Sequence, residues 1–298
     1  MNQTAVTKVS SPDSSSDQSV LTVEGLSKSF GGVEAVVDLS FSLQQGELLA
    51  LIGPNGAGKT TCFNMINGQL KPDDGRVQLL GSNITGWSPR KIWRQGVGRT
   101  FQITATYSSM TVVENVQMAL IAKHRKTLSL FGKANKLYTE PAMQLLELTG
   151  MEQQAERSAG ILAYGDLKRL ELAIALAHDP VLLLMDEPTA GMAPRERNEL
   201  MELVSQIVTE KNLSVLFTEH DMDVVFGHSD RIMVLNRGRL IAVGNAEEIR
   251  NNEQVQEVYL GGGAMYAEAE LASSGSLDDR TNQPSGAPSG ASSGASDA

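Results

Sequence analysis

The sequence has a single cysteine, few aromatic residues and no long apolar run. One cysteine, Cys62, excludes an internal disulfide framework and a cysteine-based metal cluster, and it fits a reducing compartment. No apolar segment approaches the roughly 20 residues of a membrane-spanning helix. The N-terminus also lacks the cationic start and apolar stretch of a secretory signal. These absences predict a cytoplasmic protein without a membrane span of its own.

An excess of basic residues is also missing. The formal net charge is −10, which argues against non-specific binding to nucleic acid, so no nucleic-acid partner is expected. The chain has 298 residues, of which 41% are hydrophobic. That is enough for a packed core in one large domain or two small ones.

Both ends of the chain have compositions that disfavour folding. Residues 1–19 are rich in serine, and residues 261–298 repeat serine, glycine and alanine. Such segments bury too little apolar surface to offset the entropy of ordering them. We therefore predict disordered tails at residues 1–19 and 261–298, with a folded domain at residues 20–260.

The folded part changes its hydrophobic pattern along the chain. Residues 21–30 and 35–43 alternate apolar and polar positions, which predicts antiparallel strands. Buried strands then recur between helical segments, which favours an α/β core with a parallel sheet. The middle is helical and includes the capping-box pattern Thr111–Glu114. The predicted fold is α/β: a P-loop NTPase core, an N-terminal antiparallel β subdomain, and an inserted α-helical subdomain at about residues 103–178.

A glycine-rich segment matches the phosphate-binding pattern G-x-x-x-x-G-K-[ST]. A buried strand precedes it and a helix follows it, as this pattern requires. The glycines let the backbone wrap around a phosphate, the lysine places a charge on the β- and γ-phosphates, and the first threonine offers a hydroxyl to Mg²⁺. The predicted ATP-binding residues here are Gly53, Pro54, Asn55, Gly56, Ala57, Gly58, Lys59, Thr60 and Thr61.

Two acidic residues follow the apolar segment 181–185. An aspartate at the carboxyl end of a buried strand lies where α/β sheets bind ligands. Asp186 is therefore a predicted ligand of Mg²⁺, and Glu187 is predicted to orient or deprotonate the attacking water. The predicted cofactors are ATP and Mg²⁺.

The segment Leu162-Ala-Tyr-Gly-Asp166 lies upstream of this acidic pair. It resembles the signature segment of ABC-transporter ATPases, which typically reads LSGGQ. The resemblance extends over residues 21–260 and implies that the five positions contact nucleotide: Leu162, Ala163, Tyr164, Gly165 and Asp166.

Three further residues occur in the order of this family. Gln102, in RTFQ, resembles the glutamine that senses metal and water, and His220, in TEHD, resembles the histidine that contacts the γ-phosphate. The resemblance implies catalytic roles for both, and a metal-binding role for Gln102 beside Thr60. Phe30 resembles the aromatic residue that stacks on adenine.

The sequence departs from the family pattern at three positions. Ala163 lacks the hydroxyl of the usual serine, a contact worth about 1 kcal/mol. Asp166 replaces glutamine, and because a carboxylate repels phosphate we expect it to cap its own helix. Ala193 occupies a position where aspartate is common. These changes put the coupling between two sites in doubt, but not hydrolysis.

The family resemblance also implies partners. Nucleotide loop and signature come from opposite subunits in this family, so we expect a head-to-tail dimer, either of identical chains or with a paralogous ATPase. Transport would require separate membrane-spanning permease subunits, contacted through about residues 103–160. The implied location is the cytoplasmic face of the plasma (inner) membrane, with a solute-binding receptor as an indirect partner.

The phrases LKRLELAIALA and EVYLGGG resemble ATPases of branched-chain amino-acid importers. Importers of urea or short-chain amides have closely related ATPases and stay open as cargo classes. A non-transport ABC ATPase and a P-loop kinase are the alternatives from other classes. The kinase would leave the signature segment and His220 without a role.

Overall fold

The computed structural model describes residues 19–100, 106–124 and 137–260. Several predictions concern residues outside these ranges: the role of Gln102, parts of the helical subdomain, residues 1–18 of the N-terminal tail and all of the C-terminal tail. The strands are β1 (Ser19–Phe30), β2 (Val33–Gln44), β3 (Leu48–Ile52), β4 (Asp74–Leu79), β5 (Ser82–Asn83), β6 (Val97–Arg99), β7 (Leu182–Asp186), β8 (Ser214–Thr218), β9 (Arg231–Asn236) and β10 (Arg239–Gly244). The helices are α1 (Lys59–Ile66), α2 (Pro89–Trp93), α3 (Val112–Lys123), α4 (Thr139–Leu148), α5 (Tyr164–Leu176), α6 (Pro194–Lys211), α7 (Met222–His228), α8 (Ala246–Arg250) and α9 (Glu253–Leu260).

The strands form two sheets. One is antiparallel, in the order β2-β1-β4-β5, and the other has the order β10-β9-β3-β8-β7-β6. Neighbours in the second sheet are parallel except at one edge, where β10 runs antiparallel to β9. The predicted α/β core and N-terminal antiparallel sheet are confirmed, and the antiparallel edge strand makes the core sheet mixed.

The central strands are buried because their sequences are apolar on both faces. Every residue of β3 and β8 is buried, as are the first four residues of β7. Since β3, β7 and β8 are parallel, their carboxyl ends meet at one edge of the sheet. That edge carries the glycine-rich loop after Ile52, the acidic pair that begins at Asp186, and the segment after Thr218.

Among the described residues, three hydrophobic clusters hold the elements together. One joins the core sheet to residues of α5, α6 and α7, and a second joins it to α1 and the antiparallel sheet. The third cluster lies among α3, α4 and α5. Helix α5 contributes Leu172 and Leu176 to the first cluster and Leu170 and Ala173 to the third. It therefore connects the helical part of the chain to the sheet.

The predicted capping box at the start of α3 is confirmed. The Glu114 amide donates to Thr111 Oγ1 at 3.3 Å, and Glu114 Oε2 accepts from the Thr111 amide at 2.8 Å. Two predicted boundaries need correction. Helix α5 begins at Tyr164, before its predicted cap Asp166, and strand β1 already includes Ser19, which was assigned to the tail. The division into tails, domain and helical subdomain stays a prediction.

Within the described ranges, none of the helices has the length and apolar character needed to cross a membrane.

Candidate functional site

The glycine-rich loop lies between β3 and α1, and two of its glycines are required by close backbone contacts. Gly53 has φ +150°, and a Cβ there would lie 2.2 Å from the Leu235 carbonyl oxygen. Gly58 has φ +106°, and a Cβ there would lie 2.4 Å from the Ala35 carbonyl oxygen. Only glycine fits both the conformation and the space. The loop is therefore held tightly against β9 and β2.

Lys59 is the first residue of α1 and its side chain folds back over the loop. Its Nζ donates to the Gly53 carbonyl at 2.6 Å and to the Pro54 carbonyl at 3.2 Å. Burial lowers the pKa of Lys59, while the charges of Glu187 and Asp186 raise it. A buried ammonium beside the first-turn amides of a helix is a favourable environment for an anion such as phosphate.

A cavity of about 190 Å³ opens beside this loop. Its walls are residues 55–61 of the loop and α1, together with Ala35, Glu187 and His220. The structure thus brings the nucleotide loop together with two residues predicted to be catalytic, although these come from distant parts of the sequence.

Asp186 ends β7 with both carboxylate oxygens hydrogen-bonded. Thr218 Oγ1 donates to Oδ1 at 2.9 Å, and Arg99 Nη2 donates to Oδ2 at 3.2 Å. The side chains of Arg99 and Asp186 are each only 13% exposed. Carboxylate and hydroxyl oxygens are the ligands that Mg²⁺ prefers, so Asp186 and Thr60 suit that ion. In the described part of the chain, no group of three or more His, Cys, Asp and Glu residues is arranged to hold a metal ion.

Glu187 adopts a left-handed backbone conformation, with φ +49°. This conformation is strained for a non-glycine residue and needs support from its surroundings. The support comes from Thr218, whose carbonyl oxygen and Oγ1 accept from the Glu187 amide at 3.1 and 3.2 Å. Glu187 Oε1 lies 2.9 Å from His220 Nε2. The strained turn thus directs the carboxylate toward the cavity and the histidine.

The loop that carries His220 is attached to the loop after β7. Glu219 is buried, and its Oε1 accepts from the Thr189 amide at 2.8 Å and from Thr189 Oγ1 at 2.6 Å. The His220 amide donates to Glu219 Oε2 at 3.1 Å. These bonds fix the two loops relative to each other, so that His220 stays opposite Glu187.

The signature segment lies at the start of α5. Ala163 is the residue before the helix and has extended backbone angles, while Asp166 occupies the first turn. Asp166 therefore does not cap the helix as predicted, because the helix begins two residues before it. Tyr164 is exposed and packs near Gly191, where a Cβ would meet its ring at 3.5 Å.

Not all predicted site residues meet at the cavity. None of the signature positions 162–166 is among the described residues that line it. Phe30 is half exposed at the end of β1, with Lys28 Nζ 5.6 Å from its ring centre. Gln102 lies outside the described residues.

Sequence reasoning missed Arg99, Thr218 and Glu219. All three are polar residues at, or just after, the carboxyl ends of buried strands. Their position at the end of a buried strand was the only signal for them in the sequence. Their hydrogen-bonding partners could not be predicted because Asp186 and Thr189 lie far away in the chain.

The comparisons with known proteins agree with this geometry. The family model described as ABC transporter matches residues 36–190, and one described as branched-chain amino acid ATP-binding cassette transporter matches residues 239–265. The chain is 42% identical over 254 residues to the high-affinity branched-chain amino acid transport ATP-binding protein LivG of Salmonella typhimurium, covering 82% of this chain and 98% of LivG. It is 40% identical over 253 residues to the corresponding protein BraF of Pseudomonas aeruginosa, covering 81% and 98%.

A solved structure gives the same result for the fold. An ATP-binding cassette of an ABC transporter in its ADP conformation matches with a TM-score of 0.73 and 31% sequence identity. The match covers 82% of this chain and 99% of that cassette.

Proposed function

Since the chain belongs to the ABC transporter family, we propose that it is the ATP-hydrolysing subunit of an importer of branched-chain amino acids. Members of this family are ATPases that bind nucleotide, and this chain is one of them. The observation that carries the proposal is the cavity in which the glycine-rich loop, Glu187 and His220 meet. The cargo is supported by the C-terminal family match at residues 239–265 and by the similarity to LivG and BraF.

Binding of ATP depends on the loop residues 53–61. Their backbone amides and the ammonium of Lys59 would neutralise the phosphates, and Phe30 is the proposed adenine contact. Mg²⁺, bound by Thr60 and Asp186 with Gln102 as a further proposed ligand, would neutralise charge on the β- and γ-phosphates.

Hydrolysis depends on the carboxylate of Glu187. This group would orient the attacking water and accept its proton. His220 lies 2.9 Å from it and can donate one hydrogen bond to a phosphate oxygen. We assign Gln102 a place beside the metal and the water because its segment RTFQ resembles the family segment that carries the metal-sensing glutamine.

The signature residues 162–166 are proposed to act on the nucleotide of a second cassette. None of them is among the described residues that line the cavity of their own chain. This supports a role at the nucleotide of another cassette. A head-to-tail dimer, with an identical or a paralogous chain, brings each loop against the other signature. Binding of ATP would then join the two cassettes, and hydrolysis would loosen them.

Membrane-spanning permease subunits are the proposed partners, and a solute-binding receptor acts through them. The chain would then bind peripherally at the cytoplasmic face of the membrane. A urea or short-chain amide importer is the second candidate cargo class. The family description and both relatives named above favour amino acids, and they likewise favour transport over a non-transport ATPase or a kinase.

Reconstitution tests the proposal. The chain is co-purified with its permease subunits, placed in liposomes with the receptor, and assayed for ATP hydrolysis and uptake. We expect leucine, isoleucine or valine to stimulate hydrolysis and to accumulate, and urea to do neither. Stimulation by urea alone would replace amino acids by urea as the assigned cargo. Hydrolysis that the permease subunits do not affect would contradict a role in transport.

A further inference from the structure

Arg99 joins three parts of the molecule that are distant in sequence. It is the last residue of β6, and its guanidinium contacts the carboxylate of Asp186 at the end of β7. Its Nη1 also donates to Asn64 Oδ1 at 3.0 Å and to Gln69 Oε1 at 3.1 Å. Asn64 lies in α1, the helix that begins with Lys59 and Thr60. The guanidinium therefore lies against α1 and β7, which supply two of the proposed Mg²⁺ ligands, Thr60 and Asp186.

The contact with Asp186 places a fixed positive charge beside a proposed metal ligand. Oδ1 of Asp186 already accepts from Thr218, so the guanidinium occupies the other oxygen. Both side chains are 13% exposed, and water screens such a pair only partly. A cation that binds through Asp186 must share the carboxylate with Arg99 or displace it.

Arg99 also lines a second cavity. This cavity of about 360 Å³ lies among α2, β6, α3 and α5, and its lining is mostly apolar. Arg99, Gln69, Arg90, Trp93 and His178 all contribute to its wall. The Trp93 and His178 rings pack at a centroid distance of 4.9 Å. The Arg99 side chain thus contributes to this cavity and also donates a hydrogen bond to the carboxylate of Asp186.

We propose that Arg99 is a positioning residue that competes with the metal for Asp186 and links that carboxylate to the cavity among α2, β6, α3 and α5. The proposal rests on the function proposed above, since it takes Asp186 to be a metal ligand. When the metal binds, the guanidinium loses part of its contact with Asp186 and shifts toward the cavity.

Metal binding tests the first half of the proposal. Mn²⁺ replaces Mg²⁺, and free Mn²⁺ is measured by electron paramagnetic resonance with the full chain and ADP. We expect Arg99→Gln to bind Mn²⁺ roughly tenfold more tightly than the unmodified chain, because a like charge is removed. Arg99→Lys keeps that charge and should restore the weaker binding. Arg90→Gln removes a charge from the same cavity wall without touching Asp186, and should leave the affinity unchanged.

Fluorescence tests the link to the cavity. The chain has two tryptophans, so Trp87→Phe leaves Trp93 as the single reporter in the wall. In this background, adding Mg²⁺ to the ADP-bound chain should change the Trp93 emission. The change should persist in Arg90→Gln and disappear in Arg99→Gln.

The outcomes separate this inference from the proposed function. Equal or weaker Mn²⁺ binding by Arg99→Gln would overturn the inference. A Mg²⁺-dependent change in Trp93 emission that persists in Arg99→Gln would overturn it as well. If the unmodified chain binds neither nucleotide nor metal, the proposed function fails and this inference fails with it.

Discussion

At the scale of single residues, the site depends on one strained backbone position. Glu187 has φ +49°, and the hydrogen bonds that its amide donates to Thr218 maintain this conformation. This conformation costs about 1–3 kcal/mol where it is not stabilised by its surroundings. The consequence is that the carboxylate lies at the cavity and within 2.9 Å of His220.

Replacing Glu187 by glutamine removes the proton acceptor while it keeps the shape of the side chain. Glu187→Gln keeps the volume and a hydrogen-bonding group beside His220, but an amide does not accept the proton of the water. We expect phosphate release to fall by roughly 10²–10⁴-fold with nucleotide binding retained. Phosphate release and binding of a fluorescent ATP analogue measure the two effects. Glu210→Gln, a change at an exposed position of α6, is the matched control, and near-normal hydrolysis by Glu187→Gln would refute the assigned role.

Ala163→Ser should be tolerated and should stabilise the chain. Ala163 is exposed and occupies the N-cap position of α5 with extended backbone angles. Serine there can accept from a first-turn amide, which adds about 0.5–1 kcal/mol to the free energy of unfolding. Urea denaturation measures the gain, and phosphate release checks that hydrolysis is retained. A severe loss of hydrolysis would show that the signature does not tolerate a hydroxyl here.

At the scale of elements, caps and close packing define where the helices begin. Helix α3 starts with a complete capping box, whereas Ser88, the N-cap residue of α2, makes no side-chain cap hydrogen bond. Helix α5 begins at Tyr164, next to Gly191 of the loop after β7. The first residue of α5 thus lies against the loop after β7.

The two caps provide a matched pair of variants. Thr111→Ala removes the bond from the Glu114 amide and should lower the free energy of unfolding by about 1 kcal/mol. Ser88→Ala removes a similar hydroxyl that makes no cap bond, and should change it by less than about half of that. Urea denaturation of both variants checks the difference. Equal losses would mean that the capping box contributes nothing specific.

At the scale of the whole molecule, the described residues contain the proposed site apart from Gln102, and the tails are predicted to be dispensable for hydrolysis. A chain without residues 1–18 and 267–298 keeps Ser19 in β1 and the family match at residues 239–265. We expect this chain to hydrolyse ATP at a rate within about twofold of the full chain, because the deleted segments are poor in apolar residues. Circular dichroism controls for folding. Loss of hydrolysis in a folded truncated chain would show that a tail contributes to the site.

The assembly is tested with the same hydrolysis variant. With Mg-ATP and its permease subunits, Glu187→Gln should hold two cassettes together, since nucleotide stays at the interface. Light scattering with ADP in place of ATP is the control and should report dissociated cassettes. Cassettes that never associate in the ATP-bound state would contradict the head-to-tail dimer.

Much of the fold followed from local patterns in the sequence. Alternation predicted β1 and β2, apolar runs predicted β3 and β7, and the pattern at Thr111 predicted the start of α3. The glycine-rich loop and the acidic pair were recognisable because their chemistry needs particular residues at short spacing. These features depend on backbone hydrogen bonds and burial within a few residues of each other.

Only the tertiary structure decided which distant side chains meet. Arg99 pairs with Asp186 and Glu219 binds Thr189 because parallel strands place their carboxyl ends side by side. Glu187 reaches His220 because the Thr218 bonds hold a strained turn that no local pattern encodes. Sequence spacing determines the elements and their termini, whereas packing of the sheet determines the pairs of side chains that form the site.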